Sequence, residues 1–225
     1  MRVGIVGGTG AAGGALASRL AAGGCEVMIG SRALDRAADS ALALRSAWPE
    51  MSLAIEGSTN EDACECDVVV LATPWEGAVA TALDLADRLE GRTLVSMVNA
   101  LGRMGAEFQA LVPARGSIAA TVQAVIPKVR VTAAFQHLPA RELGDLSTTL
   151  ECDVLVCADD PVGAEETIAL VNTMHGLRAV HCGSLASANA VEALTAVLLN
   201  VNIRHKSHVS LRLAGLKAPS QSVAI

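Results

Sequence analysis

Six residues near the amino terminus have the spacing of a phosphate-binding loop. They fit the pattern G-x-G-x-x-G directly after a predicted strand, and they are Gly8, Thr9, Gly10, Ala11, Ala12 and Gly13. A helix that starts within such a loop points its free backbone N–H groups at a pyrophosphate. Gly8 is expected to allow the turn, Gly10 the close approach of phosphate, and Gly13 the packing of helix on strand. A tight turn without a ligand is the alternative, but this placement favours a dinucleotide site.

The end of the second predicted strand indicates which dinucleotide would bind. NAD sites usually carry Asp or Glu there, about 20 residues after the loop, to bind the ribose hydroxyls. This chain has Ser31 and Arg32 instead, with Arg36 one helical turn later. A hydroxyl and two guanidinium groups suit a 2′-phosphate, because Arg binds phosphate with fixed, bidentate donors. An ordinary pair of solvated arginines is the alternative, and the residue types favour NADP.

Strands and helices in alternation are needed to position these residues, and the chain has them. Candidate strands are Val3–Val6, Glu26–Gly30, Leu53–Glu56, Asp67–Ala72 and Thr93–Met97, with helical stretches at about 11–23, 33–47, 60–65 and 75–90. This rhythm is typical of strand–helix–strand units in a parallel sheet covered by helices. The sequence therefore predicts an α/β, Rossmann-type doubly wound fold with a mostly parallel sheet and a small C-terminal helical extension.

Beyond residue 98 the pattern is looser, and Asn99–Gly105 is expected to be a glycine-marked loop. Further elements are predicted at Ser117–Ile126 (helix), Val129–Phe135 (strand), Asp153–Cys157 (strand), about 162–175 (helix), Arg178–Cys182 (strand) and Ser184–His205 (a long amphipathic helix). We expect a NADP-binding domain over residues 1–182, with its core at 1–98. Residues 183–225 are expected to form a small helical part that contributes to the cleft and to a dimer contact.

Composition and charge exclude several classes of protein. With 52% hydrophobic and 18% charged residues among 225, the chain is not of a disordered type. A net charge of −6 and an aromatic content of 2% argue against nucleic acid as a partner. No window of about 18 residues lacks charges or turn residues, so we expect no membrane span and a cytoplasmic location. The six cysteines include no C-x-x-C pair, which predicts buried thiols in a reducing compartment and no metal site.

Further motifs complete a pattern that resembles a known family. The segments that carry it are Val3–Gly13, Gly30-Ser31-Arg32, Thr73-Pro74-Trp75-Glu76, Leu138-Pro139-Ala140, Val191–Thr195 and Leu199-Asn200. In order and spacing they are similar to the NADPH-dependent reductases of coenzyme F-420, the 8-hydroxy-5-deazaflavin:NADP oxidoreductases. The resemblance extends from residue 1 to about residue 216. The combination is far more specific than the phosphate loop alone.

The resemblance implies a homodimer in which NADP lies across the strand ends, with the deazaflavin stacked on its nicotinamide in a cleft towards the C-terminal part. Thr9 to Ala12 would hold the pyrophosphate, and the Ser31, Arg32 and Arg36 side chains the 2′-phosphate. The remaining cofactor-binding positions that it implies are Thr73, Pro74 and Trp75 at the nicotinamide, Asn99 and Leu101 after the fifth strand, and Gln136, His137 and Val209 at the deazaflavin. The family pattern carries a histidine where Gln136 stands.

The implied reaction needs little acid–base chemistry from the protein. Hydride transfer between two carbon centres depends on proximity and orientation, and the cofactors supply the chemistry. No catalytic side chain is therefore assigned, and His137 is the candidate for proton handling at the deazaflavin. The alternative, which the position favours, is a hydrogen-bonded structural histidine at a strand end. Trp75 either walls the cofactor site or packs as a core aromatic.

Two alternatives to NADPH:coenzyme F-420 oxidoreductase remain open at this point. The first is an NADP-dependent reductase of another acceptor, such as a flavin, a ferric chelate, or an imine or keto compound. The second is a non-catalytic NADPH-sensing domain. The small basic cluster formed by Arg204, His205, Lys206 and His208 is readable in two ways. It would attract the acidic tail of a deazaflavin, or it is a charge pattern at a helix C-terminus.

Overall fold

A central eight-stranded sheet organises residues 1–216, the part of the chain that this computed structural model describes. The elements in chain order are β1 (Arg2–Val6), α1 (Ala11–Ala22), β2 (Glu26–Ser31), α2 (Leu34–Ala47), β3 (Ile55–Thr59), α3 (Asn60–Ala63), β4 (Val68–Leu71), α4 (Trp75–Asp84), α5 (Ala86–Leu89), β5 (Thr93–Ser96), β6 (Leu101–Met104), β7 (Glu107–Ala110), α6 (Ile118–Val125), β8 (Arg130–Ala133), α7 (Ala140–Gly144), β9 (Cys152–Ala158), α8 (Pro161–Asn172), β10 (Leu177–His181) and α9 (Ala188–His205), which a 3-10 turn at Leu185–Ser187 precedes.

The strand order across the sheet is β3-β2-β1-β4-β5-β8-β9-β10. Every neighbouring pair is parallel except β8 and β9, which are antiparallel. The order reverses between β1 and β4, and in doubly wound sheets ligands bind in the crevice at the carboxyl ends of the strands next to such a switch. The predicted α/β, mostly parallel, Rossmann-type fold is confirmed, and so is the C-terminal helix.

Strand β4 shows how the core is arranged on both faces of the sheet. Val68 and Val70 pack into one buried cluster together with α1 and α8, whereas Val69 and Leu71 pack into a second cluster together with α4 and α6. A strand covered on both faces has no polar side, which explains its uninterrupted apolar sequence. Each fully buried side chain of this kind contributes roughly 1.5–3 kcal/mol to folding.

Local differences from the prediction concern short or exposed elements. The segment expected as a loop at 99–105 contains β6, which forms an antiparallel hairpin with β7. The predicted helix at 75–90 is two helices, α4 and α5, and β3 begins two residues later than expected. The hairpin is ordered by a distant contact, because the Asn200 side chain exchanges two hydrogen bonds with the Phe108 backbone. Sequence periodicity gives no indication of a contact between residues that are 92 positions apart.

Helix α7 was also not predicted, and a buried arginine of α1 explains why it forms. The Arg19 guanidinium donates hydrogen bonds to four backbone carbonyls at and after α7, those of Glu142, Leu143, Asp145 and Thr148. Cations stabilise the unsatisfied carbonyls at a helix C-terminus. A side chain more than 120 residues away in sequence therefore ends this helix.

The C-terminal helix α9 shares the core of the sheet. Leu185, Ala188 and Val191 belong to the second buried cluster. Further along α9, Val197 and Ile203 are exposed. The segment Leu185–His205 is long and apolar enough to cross a membrane by composition, and 28% of its most apolar window is buried in the described fold. The expected absence of a membrane span therefore stays a prediction.

All six cysteines are free, and five of them are buried. Burial raises the pKa of the Cys64 and Cys157 thiols to about 12, which makes them unreactive at neutral pH. Among residues 1–216, no group of three or more His, Cys, Asp and Glu side chains is placed to hold a metal ion.

Candidate active site

The loop between β1 and α1 is shaped by four glycines with different roles. Gly7 has a φ of +71°, and a Cβ there would lie 2.6 Å from Thr73 Cγ2. The left-handed residue of the turn is therefore Gly7, not Gly8 as expected from the sequence. Gly8 has no positive φ, and its N–H donates to the carbonyls of Ile5 and Gly30, each at 3.1 Å. The turn is thus fixed from β1 and β2 together.

Of the other two glycines, Gly13 allows close packing and Gly10 leaves space for a ligand. A Cβ on Gly13 would lie 2.8 Å from Gly8 Cα, so this position lets α1 pack directly against the loop. A Cβ on Gly10 would meet no atom within 4 Å. Gly10 is the N-cap of α1 and offers no side chain to the helix N–H groups, and the first helical bond runs from Gly14 N to Gly10 O. The N–H groups before Gly14 are left for an anion.

Asn60 fixes the back of this loop, a role that its place in the sequence does not predict. It begins α3, directly after β3, and its Oδ1 accepts a hydrogen bond from Gly7 N at 3.1 Å. The side chain is buried. The signal available in the sequence was a polar residue at a strand end, which alone does not reveal a partner 53 residues away.

Ser31, Arg32 and Arg36 lie where β2 ends and α2 begins. Ser31 is buried, and its Oγ accepts a hydrogen bond from Ala33 N at 3.2 Å, which orders the start of the helix. Arg32 and Arg36 are exposed. Within the described part of the chain, neither guanidinium forms an ion pair with a carboxylate. Both positive charges are available to a ligand phosphate.

A cleft of about 830 Å³ joins these groups at the carboxyl ends of the strands. The predicted residues that line it are Thr9, Gly10, Ala11, Ala12, Gly13, Ser31, Arg32, Arg36, Thr73 and Pro74. A recess of about 230 Å³ shares Ala12, Thr73 and Pro74 with it and extends to Trp75 and Asn99. Because the two spaces have wall residues in common, they lie side by side, and together they extend from the arginine pair to the ends of β4 and β5.

Trp75 and Thr73 shape the far end of this combined space. Trp75 is the first residue of α4, half-buried, and it both lines the recess and packs on the second core cluster. Trp75 is therefore both a wall of the recess and an aromatic side chain packed on the core. Thr73 Oγ1 is buried and has no hydrogen-bond partner within residues 1–216. A buried hydroxyl of this kind is suited to a ligand group.

The end of β8 presents two buried polar side chains. Gln136 and His137 are 5% and 3% exposed. Gln136 Nε2 donates to the Ser96 carbonyl at 2.9 Å, and His137 Nε2 lies 2.8 Å from the Asp153 carbonyl, to which it donates. Gln136 Oε1 and His137 Nδ1 have no partner among the described residues. Phe135, just before them, has a φ of +75°, a strained value for a bulky residue of the kind found at binding sites.

Burial lowers the pKa of the His137 imidazole below its usual value. The ring is therefore neutral at neutral pH, and the proton on Nε2 leaves Nδ1 as an acceptor. This argues against a protonated His137 as a general acid. Its Nδ1 is a buried acceptor without a partner among the described residues.

Thr195 and Glu192 connect α9 to neighbouring segments of the fold. The sequence predicts neither contact, although both residues belong to the motif Val191–Thr195. Thr195 Oγ1 donates to the Gln136 carbonyl at 3.0 Å, and Asn99 Nδ2 donates to the same carbonyl and to Thr195 Oγ1. Glu192 accepts hydrogen bonds from the N–H groups of Ile118 and Ala119 at the start of α6. Burial raises the pKa of the Glu192 carboxyl to about 7.

Five of the predicted positions do not line the described cleft or recess, and they are Gly8, Leu101, Gln136, His137 and Val209. Leu101 begins β6, in the hairpin that packs on α9. Val209 lies after α9, where its N–H donates to Asn202 Oδ1 at 2.8 Å. Asn99, in contrast, does line the recess. The loop after β5 thus contributes one of its two predicted residues to this space.

Comparisons with known proteins agree with this geometry. A sequence model of the family described as "NADP oxidoreductase coenzyme F420-dependent" matches residues 2–100. The "F420-dependent NADP reductase" of Methanocaldococcus jannaschii is 34% identical over 225 residues, which cover 96% of this chain and 100% of that protein. The protein of the same name from Methanothermobacter thermautotrophicus is 32% identical over 222 residues, 96% of this chain and 94% of that one.

The fold has a counterpart among solved structures. A crystal structure of a protein from Arthrobacter sp. FB24 superimposes with a TM-score of 0.78 at 22% identity, covering 95% of this chain and 99% of that one. The resemblance that the motifs indicated is thus confirmed along nearly the whole chain. Because relatives at 30% identity or more span both the phosphate loop and α9, this chain belongs to the family of F420-dependent NADP reductases.

Proposed function

We propose that this chain transfers a hydride between NADPH and the deazaflavin coenzyme F-420, with both bound in the cleft at the strand ends. The observation that carries the proposal is the extent of that cleft and of the recess that adjoins it. The cleft runs from Arg32 and Arg36 past the N-terminus of α1 to Thr73, and the recess beside it extends to Asn99. An elongated, twice-phosphorylated dinucleotide with a third phosphate on its ribose matches this distribution of positive charge, N–H groups and buried polar atoms.

The NADP end is assigned by its donors. The N–H groups ahead of Gly14 face the space that Gly10 leaves open, which suits the pyrophosphate. The guanidinium groups of Arg32 and Arg36, which form no ion pair with residues 1–216, suit the 2′-phosphate. Ser31 orders the N-terminus of α2 beside them through its bond to Ala33 N. No acidic residue stands at the end of β2 to favour NAD.

NADPH supplies the hydride and coenzyme F-420 accepts it at carbon, so the protein's part is to bind, orient and exclude water. Thr73 and Trp75 would border the nicotinamide, and Asn99 would hold the loop after β5 in place through Gln136 and Thr195. Gln136 Oε1 and His137 Nδ1 would accept hydrogen bonds from N–H groups of the deazaflavin. None of these side chains is required to move a proton to or from carbon.

We further propose that the protein is a cytoplasmic homodimer, with residues 1–182 as the NADP-binding domain and 183–225 as the C-terminal part. The helix of that part is α9, and its residues 217–225 lie outside the described structure. Six free cysteines suit a reducing compartment. Val197 is 56% exposed and Ile203 47% exposed on α9, which is the kind of apolar surface that a second copy covers. Substitution of Val197 with Asp is expected to halve the mass measured by light scattering, and an unchanged dimer mass would remove this helix from the interface.

The test of the reaction is spectroscopic. Oxidised coenzyme F-420 is mixed with NADPH and the protein, and the visible absorbance of the deazaflavin is followed. We expect bleaching at a rate proportional to protein concentration. NADPH binding without bleaching would leave a NADP-binding protein with another acceptor, and flavin or ferric acceptors would then be assayed in the same way.

A further inference from the structure

The chain after α9 returns along the sheet as a C-terminal strap, residues 207–216. Lys206 ends α9 in the left-handed conformation, with a φ of +49°, and reverses the chain. Ser210 Oγ then donates to the Glu151 carbonyl at 3.1 Å, and the Leu211 carbonyl accepts a hydrogen bond from Asp153 N at 2.8 Å. The Leu211 side chain packs on the first core cluster. The strap is therefore attached to the beginning of β9 by both polar and apolar contacts.

One buried carboxylate holds the later part of the strap. The Asp153 side chain is fully buried and accepts two hydrogen bonds from the Arg178 guanidinium, at 2.7 and 2.6 Å. Asp153 Oδ2 also accepts a hydrogen bond from Leu213 N at 2.6 Å. Arg178 in turn donates to the carbonyls of Leu213 and Leu216. A bidentate pair that also binds backbone groups fixes the direction of the strap as well as its place.

The same aspartate holds the end of β8. Strand β8 pairs with β9 only through Thr132 and Ala133, and it turns away at Phe135. Beyond that turn, His137 donates to the Asp153 carbonyl. Asp153 thus binds the strap through its side chain and N–H, and it binds His137 through its carbonyl. Any displacement of this residue would move the strap and the imidazole together.

Beside Asp153, the segment after β8 has two buried polar atoms without partners among the described residues. Gln136 Oε1 and His137 Nδ1 are acceptors on side chains that are at least nine-tenths buried, and neither has a partner in the described residues. Unsatisfied buried acceptors are unfavourable, so a ligand with N–H groups gains from pairing them. The pyrimidine edge of a deazaflavin offers such a group. None of the contacts of Asp153 or Arg178 reaches the loop at Gly7–Gly13 or the arginine pair.

From these contacts we propose that Asp153 and Arg178 are positioning residues for the deazaflavin. They hold the strap and His137 as one wall of its site, and they act on coenzyme F-420 through that wall without touching it. The proposal rests on the proposed function of the cleft. It predicts that substitution of Asp153 or Arg178 changes KM for coenzyme F-420 and leaves KM for NADPH nearly unchanged.

The variant that tests this is Asp153→Asn, which keeps the size and the backbone carbonyl but removes the charge. We expect KM for coenzyme F-420 to rise at least tenfold, while KM for NADPH changes less than twofold. Amide hydrogen exchange in residues 209–216 should accelerate at least tenfold, with β1 unchanged. The matched control is Glu166→Gln, which breaks the ion pair with Arg130 at the opposite, amino-terminal edge of the sheet. This control should leave both KM values and strap exchange unaltered.

A second variant, Arg178→Lys, serves if Asp153→Asn does not fold, because it keeps the charge and loses the bidentate geometry. It should shift the same quantities in the same direction. Equal losses for both substrates, or a loosened strap with KM for coenzyme F-420 within twofold, would overturn the proposal. If the wild-type protein does not reduce coenzyme F-420, the proposed function fails. Hydrogen exchange then still decides whether the pair anchors the strap, and exchange unaffected by either variant refutes it.

Discussion

The end of the cleft proposed for NADP(H) is built from short loops between consecutive elements, whereas the end proposed for the deazaflavin is built from segments far apart in the chain. Gly7–Gly13 connects β1 to α1, and Ser31–Arg36 connects β2 to α2. At the other end, Asn99, Gln136 and Thr195 meet through hydrogen bonds that span up to 96 residues. The first region depends on local backbone geometry, and the second depends on the docking of α9 and of the strap. The two should therefore respond differently to substitution.

The largest effect is expected at Gly13. An Ala there would place Cβ 2.8 Å from Gly8 Cα, and the overpacking should lower the free energy of unfolding by up to about 3 kcal/mol. Gly10→Ala is the matched control, because its Cβ meets nothing within 4 Å. It should change stability by less than about 1 kcal/mol while raising KM for NADPH. Urea unfolding monitored by circular dichroism measures the stability of both variants, and steady-state assays measure KM. Equal stabilities of the two variants would show that the loop does not depend on close packing.

The next effect concerns pH and the docking of α9. Because burial raises the pKa of Glu192 to about 7 in the folded protein, the folded state binds this proton more tightly than the unfolded state. Its stabilising contribution is therefore present at low pH and lost as the pH rises from about 4.5 through 7. We expect wild-type stability to fall by about 2 kcal/mol between pH 5 and 7 relative to Glu192→Gln. Parallel stability curves for the two proteins would contradict this.

A smaller, substrate-specific effect is expected at the arginine pair. Replacement of both Arg32 and Arg36 with Ala should raise KM for NADPH at least tenfold, which corresponds to about 1.4 kcal/mol. The weaker use of NADH should hardly change, since NADH has no 2′-phosphate. KM for coenzyme F-420 should also stay constant in steady-state assays. An unaltered KM for NADPH would mean that the phosphate is held elsewhere.

The smallest effect is expected at Leu101, and it tests whether the β6–β7 hairpin belongs to the site. Leu101→Ala should leave KM for both substrates within twofold, because the side chain lies in the hairpin against α9 and not on the recess. Asn99→Ala is the contrasting variant, since it removes the bonds to Gln136 and Thr195. It should weaken activity with coenzyme F-420. Similar losses in both variants would place the hairpin inside the site.

The same division explains how far the sequence could predict the structure. Regular alternation of apolar strands and amphipathic helices is enough to derive the fold, and the phosphate loop and Ser31-Arg32 lie at its predicted strand ends. Asn60 and Thr195 could not be found, because their partners are brought together only by the complete fold. The hairpin and α7 could not be predicted for a similar reason, because they are stabilised by Asn200 and Arg19, which are far away in the sequence. Gly7 was overlooked because the motif spacing points to Gly8.

The position of the strap has a consequence for how the protein is made. A chain is synthesised from its N-terminus at about 5–20 residues per second, and its domains generally fold as units. The segments proposed to hold NADP(H) lie within the first hundred residues, whereas Leu211 and Leu213, which bind Asp153, are translated more than a hundred residues later. A growing chain thus contains every residue proposed to hold NADP(H) well before the strap is made. The acceptor end of the site is the last part of the described chain to be synthesised.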